Sequence, residues 1–341
     1  MISTYLEKIS QRVDLTRTEA AHSLRLLISD QLTATEIGAL LFGLRMKGEA
    51  VEEILGFIDT MQENMIAVEI DDPNAIDVCG TGGDQKHSFN VSTTTAVVVA
   101  AAGVTVAKHG NRSVSSKSGS ADVLEKLGIR IDLTPEKTRQ CIDKIGLGFF
   151  FAPLYHPAMK AVAPHRRNLG LRTIFNMLGP LLNPAGVRRQ LIGAFNLETA
   201  LKTANVLKQQ SYRKACVVHS SEGFDEISPF AGNQVFEIDI ARPDVSDYIY
   251  QPEKCPKTLD NYSTIQGGDA EQNAKITLEI LRGTQGSPRE MTVLNAAFAL
   301  YIADRVADIP EGITLANELI DSGRALSKLN QFIAVSNALA N

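Results

Sequence analysis

The stretch Asp77-Val-Cys-Gly-Thr-Gly-Gly-Asp84 places three glycines within four positions, directly behind the apolar Ile76 to Val78. Ser88-Phe-Asn-Val-Ser-Thr93 follows and leads into a small-residue segment, Ser92 to Ala102, that reads as a helix. The order is strand, glycine-rich loop, helix N-terminus. Such a unit gathers bare backbone N–H groups and the positive end of a helix dipole at one place, which suits an anionic phosphate. Gly80, Gly82 and Gly83 remove the side chains that would hold a phosphate away from the backbone. Ser88, Asn90, Ser92 and Thr93 add neutral donors. A glycine cluster alone reads equally as a tight turn; its position between strand and helix, with a hydroxyl-rich exit, favours the phosphate reading.

The chain on either side has two rhythms. Residues 1 to about 68 read as all-helical: Thr16-Arg-Thr-Glu19 and Thr33-Ala-Thr-Glu36 fit the capping-box pattern. Val51, Ile54, Leu55, Ile58, Met61 and Met65 recur at helical spacing, with Gly48 as a break before them. Asp71-Asp-Pro-Asn74 reads as a linker. From Ala75, short apolar segments alternate with helix patterns. Val104 to Ala107, Ile129 to Leu133, Phe149 to Ala152 and Ala215 to His219 are predicted strands. Ser120–Leu127 and Pro135–Ile145 are predicted helices, the second started by Thr134-Pro135. Alternation of this kind predicts an α/β fold with a mostly parallel sheet. Residues 157 to 190 interrupt it with a helical stretch rich in Arg, Asn and Pro, and the tail from Asp269 is again mainly helical.

Three further clusters carry chemistry. Lys108-His-Gly-Asn-Arg-Ser-Val-Ser-Ser-Lys-Ser-Gly-Ser-Ala-Asp122 also sits between a strand and a helix. Lys108 is a point charge for a phosphate, and Ser115, Ser116 and Ser120 donate without adding charge. Two such loops on successive strands face each other at the carboxyl ends, where open α/β sheets bind ligands. Gly223-Phe-Asp-Glu-Ile-Ser228 holds adjacent carboxylates in a loop. Alone that pair is ordinary surface charge; beside two phosphate loops it suits Mg²⁺, a hard ion that takes oxygen ligands and bridges to phosphates. His156-Pro-Ala-Met-Lys160, Ala163-Pro-His-Arg-Arg167 and Arg172-Thr-Ile-Phe-Asn176 supply arginines able to clamp a carboxylate.

Composition excludes other classes. With 341 residues, 44% hydrophobic, the chain buries a large core. A net charge of −5 gives no global field for nucleic acid or an anionic membrane. The longest apolar run, Ala96 to Gly103, is too short to span a bilayer, and Met1 to Arg12 lacks the apolar core of a signal peptide. Four cysteines, at 79, 141, 216 and 255, form no CxxC pair and read as reduced, mostly buried thiols of a cytoplasmic protein. Cys79, beside the first glycine, has no activating neighbour in sequence and reads as a buried strand-end thiol rather than a nucleophile.

Taken together these motifs resemble one family. Gly80-Thr-Gly-Gly-Asp84, Asn90-Val-Ser-Thr93, Lys108-His-Gly-Asn-Arg112 and Ser118-Gly-Ser-Ala-Asp122 are similar to those of the anthranilate phosphoribosyltransferases of tryptophan biosynthesis. His156-Pro-Ala-Met-Lys160, Arg172-Thr-Ile-Phe-Asn176, Gly179-Pro-Leu-Leu-Asn-Pro184, Asp225-Glu226, Gly267-Gly-Asp-Ala-Glu-Gln-Asn-Ala274 and Leu294-Asn-Ala-Ala297 continue in the same order. The resemblance implies a helical domain, residues 1–70 completed by part of 157–190, beside an α/β domain over 71–341 with the architecture shared by nucleoside phosphorylases. It implies a homodimer. It implies that phosphoribosyl pyrophosphate contacts Gly80, Gly83, Asp84, Ser88, Asn90, Val91, Ser92 and Thr93, the loop Lys108, His109, Gly110, Asn111, Arg112, Ser113, Val114, Ser115 and Ser116, and Ser120. One Mg²⁺ is implied on the pyrophosphate with Ser92, and a second near Asp225 and Glu226. Gly80, Asn111 and Arg166 are implied anthranilate contacts, with His109 and His156 close by.

The chain departs from the family pattern at Gln85, where glycine is usual, and at Ser88, where threonine is common. Because Lys86 and His87 are polar, Gln85 is expected at an ordinary backbone angle with its amide turned outward. No general base is assigned, since the arylamine is itself a neutral nucleophile. A nucleoside phosphorylase is the rival enzyme reading; the acidic pair and Arg166 favour the transferase. A non-catalytic nucleic-acid-binding relative is the rival from another class, and the net charge opposes it.

Overall fold

The computed structural model describes residues 2–113, 117–253 and 263–340. Four helices come first: α1 (Ile2–Ser10), α2 (Arg17–Ile28), α3 (Ala34–Lys47) and α4 (Val51–Glu63). Both expected capping boxes form, Thr16 with Glu19 and Thr33 with Glu36. Gly48 ends α3 at φ +86°, where a residue with a Cβ is disfavoured. The stripe Ile54, Leu55, Ile58 and Met61 is buried. Met65 lies past the end of α4, because Asn64 closes that helix.

The remainder alternates strands and helices: β1 (Ile76–Gly80), α5 (Val91–Ala101), β2 (Val106–Gly110), α6 (Ser120–Lys126), α7 (Pro135–Ile145), β3 (Leu147–Phe151), α8 (Ala152–Tyr155), α9 (Met159–Leu169), α10 (Phe175–Leu181), β4 (Arg189–Gly193), α11 (Leu197–Gln209) and β5 (Lys214–Ser220). Then come β6 (Asn233–Asp239), β7 (Ser246–Tyr250), α12 (Ala270–Leu281), α13 (Ser287–Ile302), α14 (Ile309–Asp321) and α15 (Arg324–Ala340). The sheet order is β3-β2-β1-β4-β5-β6-β7. The first five strands in that order are parallel, and β6 and β7 run antiparallel at one edge.

Side chains alternate between the two faces as a pleated strand requires. Ile76, Val78, Leu191, Cys216 and Val218 face one core, built with α5, α13, α14 and α15. Cys79, Ile192, Ala215 and Val217 face the other, which they share with Leu24, Leu40, Phe57, Val162, Ile174 and Phe175. The N-terminal helices thus pack on α9, α10 and the second sheet face. Helix α5 is buried along nearly its whole length, which explains its lack of a polar stripe.

Three sequence expectations change. Ile129 to Leu133 is extended but pairs with no strand. Ile129, Ile131 and Leu133 are buried with the C-terminal helices, and Arg130 N donates to Ser336 Oγ at 3.2 Å. Period-2 burial therefore arose from helix contacts rather than a ladder. The strand expected at Val104 to Ala107 lies at Val106–Gly110 and carries Lys108 and His109. At the end of the stretch 157–190 read as helical, and running beyond it, Arg189–Gly193 is a fully buried central strand.

Candidate active site

The order of strands reverses between β1 and β4, with β2 on the other side of β1. This opens a crevice at their carboxyl ends, where the loops after β1, β2, β4 and β5 meet. Two glycines admit the β5 loop to it. A Cβ on Gly193 would lie 1.5 Å from the Asp225 carbonyl, and one on Gly80 would lie 2.9 Å from Asp225 Oδ2. Gly82 N then donates to Asp225 Oδ2 at 2.8 Å, and Ser92 N donates to Glu226 Oε1 at 3.2 Å. The open amides of the glycine loop and of the α5 N-terminus are thus aimed at two buried acids.

Burial, with the Asp84 charge close by, pushes the Asp225 carboxyl above the usual carboxylate range. Burial and Asp225 do the same to Glu226. Asp84 Oδ1 accepts from Lys86 N at 3.0 Å, and its Oδ2 is 3.5 Å from Asp225 N. Among the described residues no three His, Cys, Asp or Glu side chains form a ready-made metal cage. The donor set still fits Mg²⁺: hard carboxylate oxygens, crowded with like charge, that leave room for phosphate ligands.

The glycine loop is left-handed at Gly82, Gly83, Gln85 and His87, with φ of +66°, +78°, +63° and +55°. This overturns the ordinary angle expected for Gln85. Local polarity did not set its backbone; the path of the loop did. The exit is pinned from outside: Gly267 N donates to His87 O at 2.8 Å, Phe89 N to Ile265 O at 3.1 Å, and Ser88 bridges to Gln266. Asn273 Nδ2 donates to Asn90 Oδ1 at 2.8 Å. Val91 is buried at the helix start, and Thr93 Oγ1 is buried without a hydrogen-bond partner among the described residues.

In the second loop Lys108 does not project as a free cation. It is buried and donates to Val78 O at 2.7 Å and to Ser92 Oγ at 3.3 Å, placing its charge beneath the first loop. Arg112 is committed to Asp122 at 2.8 Å and Glu125 at 2.5 Å. Its charged form is thereby favoured, by Glu125 most of all. Ser113 N and Gly119 N donate to Asp122 Oδ2, and Ser120 Oγ donates to Asn111 O at 3.2 Å. Gly110 packs so close that a Cβ would lie 2.2 Å from Ser120 Oγ. Val114, Ser115 and Ser116 lie outside the described residues.

The third element is the α9–α10 segment. His156 and His109 approach Nε2 to Nε2 at 3.2 Å, and His109 Nδ1 is 3.2 Å from Gly179 O. A carbonyl only accepts, so His109 carries its proton on Nδ1 and accepts at Nε2 from His156. Burial drives both toward neutrality, His109 down to about 3 and His156 to about 4. Arg166 is half-buried with its pKa lowered by burial; it lies 3.5 Å from Asn176 Oδ1 and over the Phe175 ring at 5.5 Å. It forms no ion pair among the described residues. Arg167 beside it is exposed.

Asp77 was passed over in the sequence. It is fully buried and accepts from Asn183 Nδ2 at 2.9 Å, His109 N at 3.2 Å and Gln190 Nε2 at 3.3 Å, binding three strands and the Gly179–Pro184 motif together. An Asp at the second position of a central strand was the available signal. Cys79, by contrast, is the buried thiol expected, its pKa raised by burial.

The family model described as "Glycosyl transferase family, a/b domain" matches residues 72–326, and "Glycosyl transferase family, helical bundle domain" matches residues 3–65. An anthranilate phosphoribosyltransferase of Alkaliphilus metalliredigens is 45% identical over 339 residues, 99% of each chain. The chain belongs to the anthranilate phosphoribosyltransferase family. Among solved structures of the family, the Thermus thermophilus enzyme matches with a TM-score of 0.89 and 35% identity, covering 97% of this chain and 99% of that one. The Saccharomyces cerevisiae enzyme, in complex with PRPP and Mg, matches with a TM-score of 0.89 and 26% identity over 99% of this chain and 98% of that one. The helical bundle and the mostly parallel sheet of the family are both present here.

Proposed function

We propose that this chain transfers the phosphoribosyl group of 5-phosphoribosyl 1-pyrophosphate to the amine of anthranilate, giving N-(5-phosphoribosyl)anthranilate and pyrophosphate, a step of tryptophan biosynthesis. One observation carries the reading beyond family membership. The crevice pairs amide donors of the glycine loop and the α5 start with the buried acids of the β5 loop, and carries a half-buried Arg166 that has no ion-pair partner among the described residues. A metal-bound polyphosphate answers the first need and a carboxylate the second.

Asp225 and Glu226 would hold one Mg²⁺, and Ser92 would help hold a second on the pyrophosphate. Bound Mg²⁺ neutralises charge on the departing pyrophosphate. The chain's own residues do the rest by position. The Gly80–Asp84 and Ser88–Thr93 amides and hydroxyls, with Lys108 beneath them, orient the phosphates. Arg166 orients the anthranilate carboxylate, and Gly80 and Asn111 contact the ring's substituents. The bond from ribose C1 to pyrophosphate breaks, its electron pair leaving with the pyrophosphate, as the arylamine nitrogen bonds to C1, and the resulting ammonium loses its proton to solvent. The neutral His109–His156 pair leaves no cation beside the oxocarbenium-like ribose. The enzyme is proposed to act as a cytoplasmic homodimer. No helix among the described residues is long and apolar enough to cross a membrane.

The test is the loss of anthranilate fluorescence with phosphoribosyl pyrophosphate and Mg²⁺. Turnover requiring all three components bears the reading out. No turnover, or turnover of a nucleoside with phosphate instead, overturns it.

A further inference from the structure

Arg172 lies in the short connector between α9, which carries Arg166, and α10. Its Nη2 donates to the carbonyl of Gly83 in the glycine loop. Its guanidinium lies over the Phe195 ring, 4.3 Å from Cζ to the ring centroid. Phe195 belongs to the same junction: its N–H donates to Thr81 Oγ1 at 3.1 Å, and Thr81 N donates to Gly193 O at 2.8 Å. Close contact with Gly83 is a property of the pair, since a Cβ there would lie 3.3 Å from Arg172 Nε. Arg172 makes no ion pair among the described residues. The other side of the connector is equally tied: Thr173 N donates to Asn176 Oδ1 at 3.0 Å, the same atom that Arg166 approaches. Within one five-residue connector, Gly170 to Ile174, Arg172 therefore touches the glycine loop while the neighbouring Thr173 shares the Asn176 side chain with Arg166.

We propose that Arg172 is a positioning residue that couples the two substrate loci, so that ordering the glycine loop orders the Arg166 segment. The proposal rests on the transferase reading. Two features of arginine are used together: a charge-assisted bond to the Gly83 carbonyl and a cation–π contact of the guanidinium with an aromatic ring. Lysine keeps the first and lacks the second. Because coupling between sites is reciprocal, pyrophosphate binding at the loop must change anthranilate affinity, and anthranilate must change that of pyrophosphate by the same factor.

The experiment titrates anthranilate by its fluorescence, with and without saturating magnesium pyrophosphate, which cannot react with it. In the unaltered enzyme pyrophosphate should tighten anthranilate binding about fivefold or more. Arg172→Ala should reduce that ratio below twofold. Arg172→Lys should restore part of it, and Phe195→Leu should give an intermediate ratio. A ratio near one in the unaltered enzyme, or an unchanged ratio in Arg172→Ala with both affinities weakened alike, overturns the proposal. If Arg172→Ala does not fold, Arg172→Lys and Phe195→Leu decide it by the same ratio. Turnover of the unaltered enzyme is measured alongside. Its absence sinks the transferase reading, whereas turnover with an unchanged ratio in the variants sinks only the coupling.

Discussion

The two ends of the crevice are mismatched electrostatically in opposite senses. At the glycine loop, Asp225 and Glu226 are buried side by side with Asp84 close by, and burial and like charge drive the Asp225 and Glu226 carboxyls toward the protonated form. At the other end, the buried His109–His156 pair packs on Gly179 of α10 and is neutral, and Arg166 of α9 is a partly buried cation without a carboxylate partner among the described residues. Each end is incomplete in the way its ligand repairs. On the proposed reading, a cation with a polyphosphate relieves the first and an aryl carboxylate relieves the second. Specificity here follows from which charge is left unbalanced, because unpaired buried charge is costly and its correct partner is correspondingly favoured.

The sharpest way to break this comparison is at the acids. Asp225→Asn with Glu226→Gln keeps an oxygen for Gly82 N and Ser92 N while removing the charge. Activity should fall by at least about a hundredfold, as for loss of a main electrostatic stabiliser. The melting temperature without magnesium should hold or rise, since like-charge crowding is relieved, and magnesium should no longer raise it. A stability loss without magnesium would mean the acids are structural.

Arg166 tests the other end. Arg166→Ala should raise the KM for anthranilate tenfold to a hundredfold, the equivalent of about 1.5–3 kcal/mol for a bond to a charged group. The KM for phosphoribosyl pyrophosphate should move much less, and Arg167→Ala, at an exposed site, should move neither. Equal losses for both substrates would erase the distinction between the two ends.

How much of this was legible depended on whether local chemistry or topology decided the residue. The capping boxes, the glycine loop and the acidic pair are local patterns, and each stands where its residue types demand. Strands β4, β6 and β7 were not legible. Arg189–Gly193 sits in a stretch whose prolines and arginines suggest loop and helix, and its strand character comes from pairing with β1 and β5. Ile129 to Leu133 fails for the converse reason, a strand pattern with no strand beside it. The commitment of Arg112 to Asp122 and Glu125, and the hub at Asp77, depend on contacts made only after folding. Gln85 was misjudged because polarity says nothing about φ.

A smaller effect checks the neutrality of the histidine end. Both histidines titrate below their ordinary value of about 6.5, so the unfolded chain binds more protons than the folded one between roughly pH 6.5 and 4. The histidine contribution to stability therefore falls as the pH drops through that window and is flat above it. The raised Asp225 and Glu226 carboxyls act in the opposite sense, so the histidine share is read as the difference between the unaltered protein and a histidine variant. With His156 at about 4, its share of the loss by pH 5 is on the order of 2 kcal/mol. Urea unfolding at pH 7 and pH 5 measures it. His156→Gln, which keeps a donor without titrating, should flatten the dependence. An unchanged slope would show that the pair is charged in the folded protein and that this end is not neutral.

The smallest effect lies at Gln85, on the phosphate side. Its φ of +63° places a residue with a Cβ in the left-handed region, which costs roughly 1–2 kcal/mol relative to the right-handed one. Glycine removes that cost but adds about 0.5–1 kcal/mol of unfolded-chain entropy. The two partly offset, leaving a gain of at most about 1.5 kcal/mol, read as a small rise in melting temperature for Gln85→Gly. A β-branched residue tolerates this angle least, so Gln85→Val should lower the melting temperature. The effect on phosphoribosyl pyrophosphate affinity depends on whether the loop keeps its angle when the ligand binds. The loop is held at Gly82 by Asp225 and at His87 by Gly267, on either side of Gln85. Anchored at both ends, it keeps the same turn in both states, and the strain cancels from the binding equilibrium. Gln85→Gly should then change that affinity less than fivefold while stabilising the free enzyme. A calorimetric titration showing a tenfold gain would mean that the loop changes angle on binding, and that its strain belongs to the free state alone.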